Sequence, residues 1–417
     1  MKRKRVGLAI LVVLVALLGA LPSLAGCAGG DGEERVVKIG ILADFTGTAA
    51  FAMKPTMKTA DTYVTKVVPE KNPLPGVKVE FTIFDTQLNY SRTIPGYLEL
   101  KGRGVDMMII PNAQDVELLG DRLEQDKMPV VGTQGLQSQL ASEWSMSTVS
   151  TVQSQGEAVM RFIMDHWDYE VKGRSPVVGH LGYTLTSTEY YQQGIDLIRN
   201  QNPEKFTWKG IERGTLGNVT WTSEVGRLKT CDYILVSVAG PMLSSFVSQA
   251  RNGGYTGVFI TGMEGFPGFF GLVQSALKGS PEQLYDCYYL AWWPWWNEDL
   301  PYIEDCLDYI DTYAAGDKDD LLNSSAVISG LGLGMVVEAA IRNAIEEVGA
   351  DNLDRVALKN GMRAVNMTVA GFGDVWKVTP TNNCLQWQQR AFEWKLDEEE
   401  WVALPTYYDP AFSKPAV

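Results

Sequence analysis

Apolar positions alternate between two rhythms along most of this chain. Val36-Val37-Lys38-Ile39-Gly40-Ile41-Leu42 is nearly continuous and rich in β-branched residues, the pattern of a strand buried on both faces. Thr46-Gly47-Thr48 is a turn, and apolar residues then recur at Met53, Met57, Ala60, Val64 and Val67, the spacing of an amphipathic helix over 50–68. Pro73 and Pro75 prevent its continuation. Strand 77–84 ending at Asp85, helix 94–101, strand 105–110, helix 115–125 and strand 129–131 follow. Strands and helices in turn, with short connections, imply a parallel sheet with helices on both faces. Ligands on such sheets bind beyond the carboxyl ends of the strands, which marks the loops 46–51, 111–114 and 132–136.

The alternation restarts near residue 150. Helix 155–167, strand 176–181, helix 190–200, strand 233–238, helix 242–252 and strand 258–261 lead to a Gly-rich stretch at 262–271. Strand 287–292 then runs into Trp292-Trp293-Pro294-Trp295-Trp296. Two such units in tandem imply two lobes with a cleft between them. Helices 301–313 and 326–348, an amphipathic segment 352–362, and terminal strands 368–378 and 387–396 complete the chain. The periodicity does not assign these last pieces to a lobe. Gly330-Leu331-Gly332-Leu333-Gly334 lies inside an apolar helical stretch, where small residues permit close helix packing.

The N-terminus has a different character. Lys2-Arg3-Lys4-Arg5 precede an apolar run from Val6 to about Leu21, closed by Leu24-Ala25-Gly26-Cys27. A basic start, an apolar centre and small residues before a cut site make a secretory signal. A cysteine directly after Ala25-Gly26 resembles the lipobox of bacterial lipoproteins, in which the thiol is acylated and becomes the new N-terminus. The alternatives are plain secretion and an uncleaved anchor. Pro22 and Ser23 interrupt the apolar run, which is at the short end for a span of about 20 residues. Residues 1–26 are thus expected to be a signal peptide, and 27–35, which are Gly- and acid-rich, a flexible tether. The protein is then extracytoplasmic, at the cell surface or in the periplasm, held to the membrane through Cys27.

Charge narrows the partners. Loss of four basic residues with the signal takes the formal charge from −14 to −18. So acidic a chain disfavours nucleic acid and anionic lipid surfaces. The body of about 385 residues is too large for a single core and suggests two domains. Cys231, Cys287, Cys306 and Cys384 form no CxxC pair, so neither a zinc nor a redox motif is present. Disulfides and buried free thiols both stay open.

Val37-Lys38-Ile39-Gly40-Ile41-Leu42 with Thr46-Gly47, the strand ending at Asp85, Ser248-Gln249-Ala250-Arg251-Asn252-Gly253-Gly254 and Gly262-Met263-Glu264-Gly265 together resemble the type I periplasmic solute-binding proteins of ABC importers, in their branched-chain amino-acid (Leu/Ile/Val) binding group. The resemblance spans most of residues 36–400. It implies two Rossmann-like α/β lobes with parallel sheets joined by three crossovers. Lobe 1 would take 36–150 and 293–370, and lobe 2 would take 151–292 and 371–417, with the third crossing near Gly371. It also implies a monomer that captures a small amino acid, related zwitterion or carboxylate, needs no cofactor or metal, and delivers its ligand to a permease.

The family's ligand contacts carry over one by one. Phe51 falls where an aromatic covers the ligand. Asn112, Ala113 and Gln114 fall where a Ser-rich loop and helix N-terminus hold its carboxylate. Thr133, Gln134 and Gly135 occupy the next loop. Thr188, Glu189 and Tyr190 lie where a ligand-stacking Tyr is expected, with Tyr191 a rival one position on. Gly240 replaces a frequent Tyr, which removes a wall and suggests a larger ligand. Glu264 falls where an acid pairs with the ligand's ammonium; an acid in a cleft is costly unless paired. The Trp292–Trp296 run has no clear counterpart and is read as core or hinge packing, with a ligand floor or a permease-facing surface as alternatives.

Two other functions are weaker. A ligand-sensing receptor module would share the fold, but no further apolar span or signalling domain follows residue 400. A secreted enzyme finds no support: His166 and His180 are the only histidines, in no metal-ligand spacing, and no nucleophile elbow or phosphate loop follows a strand.

Overall fold

The computed structural model describes residues 34–140, 142–262, 265–277, 280–369, 376–379, 382–386 and 388–409. The expectations for the signal, for Cys27, for most of the tether and for Glu264 lie outside the described residues.

The described chain builds two sheets, each the centre of a lobe. The first contains, edge to edge, Cys384–Gln386, Ser145–Val149, Val130–Gly132, Met107–Ile109, Arg35–Ala43 and Val77–Asp85, all parallel. The second runs Glu400–Tyr408, Gln389–Lys395, Cys287–Ala291, Val258–Thr261, Tyr233–Val236, Val177–Tyr183 and Thr207–Gly214. Its last five strands are parallel, and the two C-terminal strands join antiparallel at one side. The apolar run at 36–42 explains the placement of Arg35–Ala43 inside its sheet. Val37, Ile39 and Ile41 pack into a core with helices Ala50–Thr62 and Ala326–Val348, while Leu42 packs on the other face with helices Thr93–Gly102 and Ala113–Asp126.

Several expectations are corrected. The third crossing does not fall near Gly371. Cys384 pairs with Ser147 in the first sheet, so the chain leaves that lobe between Gln386 and Gln389. The expected strand 368–378 is reduced, among the described residues, to Asn366–Met367 paired antiparallel with Trp376–Lys377. Strands Ser145–Val149, Thr207–Gly214 and Glu400–Tyr408 were not expected. The helices after the first and second sheets' binding loops begin earlier than their apolar rhythm suggests, at Ala113 and Thr186. Cys231, Cys287, Cys306 and Cys384 are all buried free thiols.

The tryptophan run straddles the hinge. Trp293 belongs to the first lobe's core, its ring stacked near Tyr302 and edge-on to Trp376, whereas Trp295 packs on Tyr289 in the second. Trp292 Nε1 donates to Ser150 Oγ at 2.7 Å, tying the second crossing to the first.

Small residues set the closest helix contacts. A Cβ on Gly194 would meet Gln153 O at 1.9 Å, and one on Gly156 would meet Tyr191 O at 2.0 Å. Helices Val152–His166 and Thr186–Gln201 therefore touch backbone to backbone, which fixes where their first turns reach the cleft. Gly330 likewise meets the Thr56 backbone, while Gly332 and Gly334 press against the side chains of Trp293 and Tyr63. Ala326–Val348 is long and apolar enough to cross a membrane by length and composition, yet it is mostly buried in the first lobe.

Candidate functional site

Both sheets change direction at an interior strand. The chain moves outward on either side of Arg35–Ala43 in the first and of Val177–Tyr183 in the second. Loops diverge at such switch points and leave a crevice at the carboxyl ends. The two crevices face each other and enclose a cavity of about 150 Å³, the scale that holds a benzene-sized molecule.

The first lobe contributes Thr48, Ala49, Ala52 and Met53 from the first loop and helix, Leu88 and Tyr90, the segment Asn112–Ala113–Gln114, and Thr133, Gln134 and Leu136. The second contributes Tyr183, Leu185, Ser187, Tyr190, Ala239, Gly268 and Phe269. Val152 and Trp293, beside two of the crossings, lie at the hinge side, and Ser325 and Ser329 come from the start of helix Ala326–Val348. No charged side chain lines the cavity among the described residues. Its wall is apolar and aromatic, with amides and hydroxyls at fixed points.

The polar end is built around Asn112. Its backbone is extended and its Oδ1 accepts the Gln114 N–H at 2.9 Å, capping helix Ala113–Asp126. The Asn112 carbonyl takes the Asp115 N–H at 3.1 Å. Among the first-turn donors this leaves the Ala113 N–H without a protein acceptor among the described residues. Asn112 Nδ2 donates to Tyr90 Oη at 3.3 Å, and Thr133 Oγ1 donates to Pro111 O at 3.0 Å. Gln114 Oε1 is buried at the cavity and has no partner among the described residues.

Behind this end sits Asp115, 2% exposed, whose carboxylate accepts from the Thr93 hydroxyl. Desolvation by burial outweighs that hydrogen bond and pushes its carboxyl up to about 6. A carboxyl whose folded value is raised favours folding while protonated. That contribution is complete below the unfolded value of about 4 and is lost as pH rises through about 6. Asp115→Asn should therefore gain stability over the wild type between pH 4.5 and 7.5, on the order of 2 kcal/mol. Thermal unfolding of both proteins across that range measures it; parallel curves would contradict the buried, uncompensated carboxyl.

Contacts cross the cleft at its mouth. Tyr190 of the second lobe donates its hydroxyl to Glu117 of the first. Phe51 and Phe269 stack from opposite lobes with centroids 6.2 Å apart. Ser325 N–H donates to Pro267 O at 2.8 Å. The lobes are thus closed on one another.

Of the residues expected from sequence, Asn112, Ala113, Gln114, Thr133, Gln134 and Tyr190 are brought together. Phe51 is not in the wall: it is 38% exposed and covers the mouth through Phe269. Gly135 bridges to Thr151 beneath the loop, close to Cys384. Thr188 is buried, its Oγ1 accepting the Tyr183 N–H at 2.8 Å, and Glu189 pairs with Arg213 outside the cavity. Tyr191 lies in the second lobe's core against His180. Gly240, at φ +60°, opens no extra space here: a Cβ would come within 3.0 Å of Thr48 O from the opposite lobe.

Sequence reasoning missed Met53, Tyr90, Tyr183, Phe269 and Ser325. Tyr183 ends the strand at its sheet's switch point, a position that the strand pattern marks. Tyr90, Phe269 and Ser325 carry no such signal. His166 bonds Tyr233 and His180 bonds Gln192 and Ser237, both away from the cavity. No group of three or more metal-binding side chains occurs among the described residues.

A family model described as periplasmic binding protein matches residues 36–397. No curated protein matches the sequence. Among solved structures, the branched-chain amino-acid ABC transporter protein from Thermus thermophilus with bound valine aligns with a TM-score of 0.78 at 15% identity, over 91% of this chain and 98% of that one. A fatty acid ABC transporter substrate-binding protein from Thermomonospora curvata gives 0.77 at 19%, over 91% and 93%. An ABC transporter solute-binding protein from R. palustris in complex with benzoate gives 0.71 at 14%, over 92% and 99%. Two sheets that each reverse at an interior strand, three crossings and a cavity at the facing carboxyl ends agree with that match, and this chain belongs to the periplasmic binding protein family, in its type I fold.

Proposed function

We propose that this chain is the solute-binding lipoprotein of an ABC importer, anchored through Cys27, and that it captures a small carboxylate with an apolar body, an amino acid or related zwitterion above all. It hands that solute chemically unaltered to a permease. The observation that carries the ligand class is the pairing of an apolar, aromatic wall with one polar end at Asn112–Ala113–Gln114. A helix N-terminus with an unused N–H suits a carboxylate, through its donor and through the helix dipole. Met53, Leu136, Phe269 and Trp293 suit the apolar remainder. Valine, benzoate and a fatty acid, the ligands named for the similar structures, share this chemistry. Closure follows from contacts that solute makes with both lobes at once, which favour the closed population by their differential energy.

The choice between amino acid and simple carboxylate turns on Glu264. A thermal-shift screen of amino acids, aromatic and aliphatic carboxylates, uncharged amides and sugars tests the class, since a ligand that binds only the folded state raises Tm. Glu264→Gln should abolish the shift given by amino acids and spare any given by plain carboxylates. A protein that responds only to sugars or uncharged amides would overturn the proposal.

A further inference from the structure

Asp85 ends the strand Val77–Asp85 beside Ala43, the last residue of strand Arg35–Ala43. Two loops leave the sheet side by side at this point, and the Asp85 carboxylate binds both. Its Oδ1 accepts the N–H of Phe45 at 2.9 Å and that of Gln87 at 3.0 Å, and its Oδ2 accepts the Thr46 hydroxyl at 2.6 Å. Gln87 Nε2 donates to Thr46 Oγ1 at 3.3 Å, and Arg92 Nη1 donates to the oxygen of the same amide at 2.8 Å. The two backbones touch as well: a Cβ on Gly47 would stand 2.6 Å from Gln87 O. Burial alone would raise the Asp85 carboxyl. Its hydrogen bonds outweigh that and hold it below the usual carboxylate range, so the clamp is charged at neutral pH.

The clamped loop turns against its own side chains. Gln87 and Leu88 have φ of +56° and +51°, the only consecutive pair of non-glycine residues in the left-handed region among the described residues. A Cβ opposes that conformation, and leucine has no polar group to compensate it locally. Such a turn persists only where surrounding contacts enforce it, and it concentrates at functional positions. Here it sets Leu88 in the wall of the cavity. Leu88 is half-buried yet belongs to neither lobe's hydrophobic core among the described residues. Two positions on, Tyr90 joins the polar end of the cavity through Asn112.

We propose that Leu88 sets how long an apolar body the cavity accepts, and that Asp85 is the residue that positions it. The assignment rests on the reading of the cleft as a trap for a carboxylate with an apolar body, and adds the limit on that body's size.

Leu88→Gly removes the Cβ that resists the turn and takes the isobutyl group out of the wall. Without ligand it should melt above Leu88→Ala, which keeps the Cβ. That order reverses the usual one, since glycine ordinarily loses more freedom on folding. Leu88→Ala melting at or above Leu88→Gly would mean that the turn is not left-handed in solution, and the assignment would fall. Calorimetric titration with valine, benzoate and the straight-chain acids from butanoate to decanoate reads the selectivity. The ratio of decanoate to butanoate affinity should rise about tenfold or more in Leu88→Gly. Asp85→Ala should raise the same ratio in the wild type and leave it unchanged in the Leu88→Gly background, because Asp85 acts through Leu88. A further rise in that background would end its positioning role. A Leu88→Gly protein that binds these acids in the wild-type ratio would overturn the size limit and spare the capture reading. If neither the wild type nor Leu88→Gly binds any of them, the carboxylate reading fails and takes the size limit with it.

Discussion

Arg251→Ala should cost the second lobe about 3–5 kcal/mol of stability, the range seen when one partner of a buried charged network is removed. Arg251 is only 7% exposed, and among the described residues its hydrogen-bond partners are carbonyls rather than carboxylates. Its guanidinium is held instead by four carbonyls: Gln283 O at 3.0 Å, Tyr255 O at 3.1 Å, Gly257 O at 2.8 Å and Tyr285 O at 2.6 Å. The rings of Tyr285, Phe259 and Tyr255 surround it, with centroids 3.9, 4.5 and 5.2 Å away. A planar, weakly hydrated cation with five donors can satisfy several carbonyls at once and stack on aromatic faces. Truncation strands those carbonyls in the interior and empties the space between the rings. Arg251→Lys keeps the charge but cannot reproduce the fork, so it should recover only part of the loss. Chemical denaturation of the three proteins measures this; a drop below about 1 kcal/mol for Arg251→Ala would mean that the carbonyls are satisfied without it.

Arg251 also marks what the sequence makes legible. It stands within Ser248-Gln249-Ala250-Arg251-Asn252-Gly253-Gly254, a stretch that identifies the fold by resemblance. Nothing in that stretch announces that the side chain turns inward onto carbonyls from two later loops. Long strands such as 36–42 were readable because their apolar run is nearly continuous, broken only by Lys38. The strand Cys384–Gln386 was not. It is short, and its partner Ser147 lies far back in the chain, so only tertiary pairing defines it. For the same reason the third crossing was displaced from Gly371.

The site divides along similar lines. Asn112, Ala113 and Gln114 were legible because a strand, a capping residue and an amphipathic helix follow one another locally. Phe269 and Ser325 reach the cavity only because two lobes close on each other and helix Ala326–Val348 returns to the first. The Tyr190–Tyr191 ambiguity was a matter of helical phase. The two residues point about 100° apart, one to the cleft and one to the core. The backbone contact at Gly156 and Gly194 settles the phase, and apolar spacing alone does not reveal it.

Ala113→Pro should abolish most carboxylate binding and leave the fold untouched. Ala113 is the first residue of its helix, directly after the capping Asn112. Proline is well tolerated there, since the N–H it removes has no intrahelical acceptor. The preceding residue must be extended for proline to follow, and Asn112 already is, at φ −88° and ψ 119°. The substitution thus deletes the donor that a bound carboxylate would use and sets ring carbons in its place, without disturbing the Asn112–Gln114 cap. A hydrogen bond to a charged group contributes about 1.5–3 kcal/mol. Affinity for the carboxylate returned by the screen should fall roughly 10- to 100-fold on that account alone, with Tm of the free protein within a degree or two of the wild type. Calorimetric titration alongside thermal unfolding separates the two effects. Unchanged affinity with an intact fold would show that the carboxylate does not sit at this helix, and the polar end of the cavity would then have to bind the solute through the Asn112 and Gln114 side chains instead.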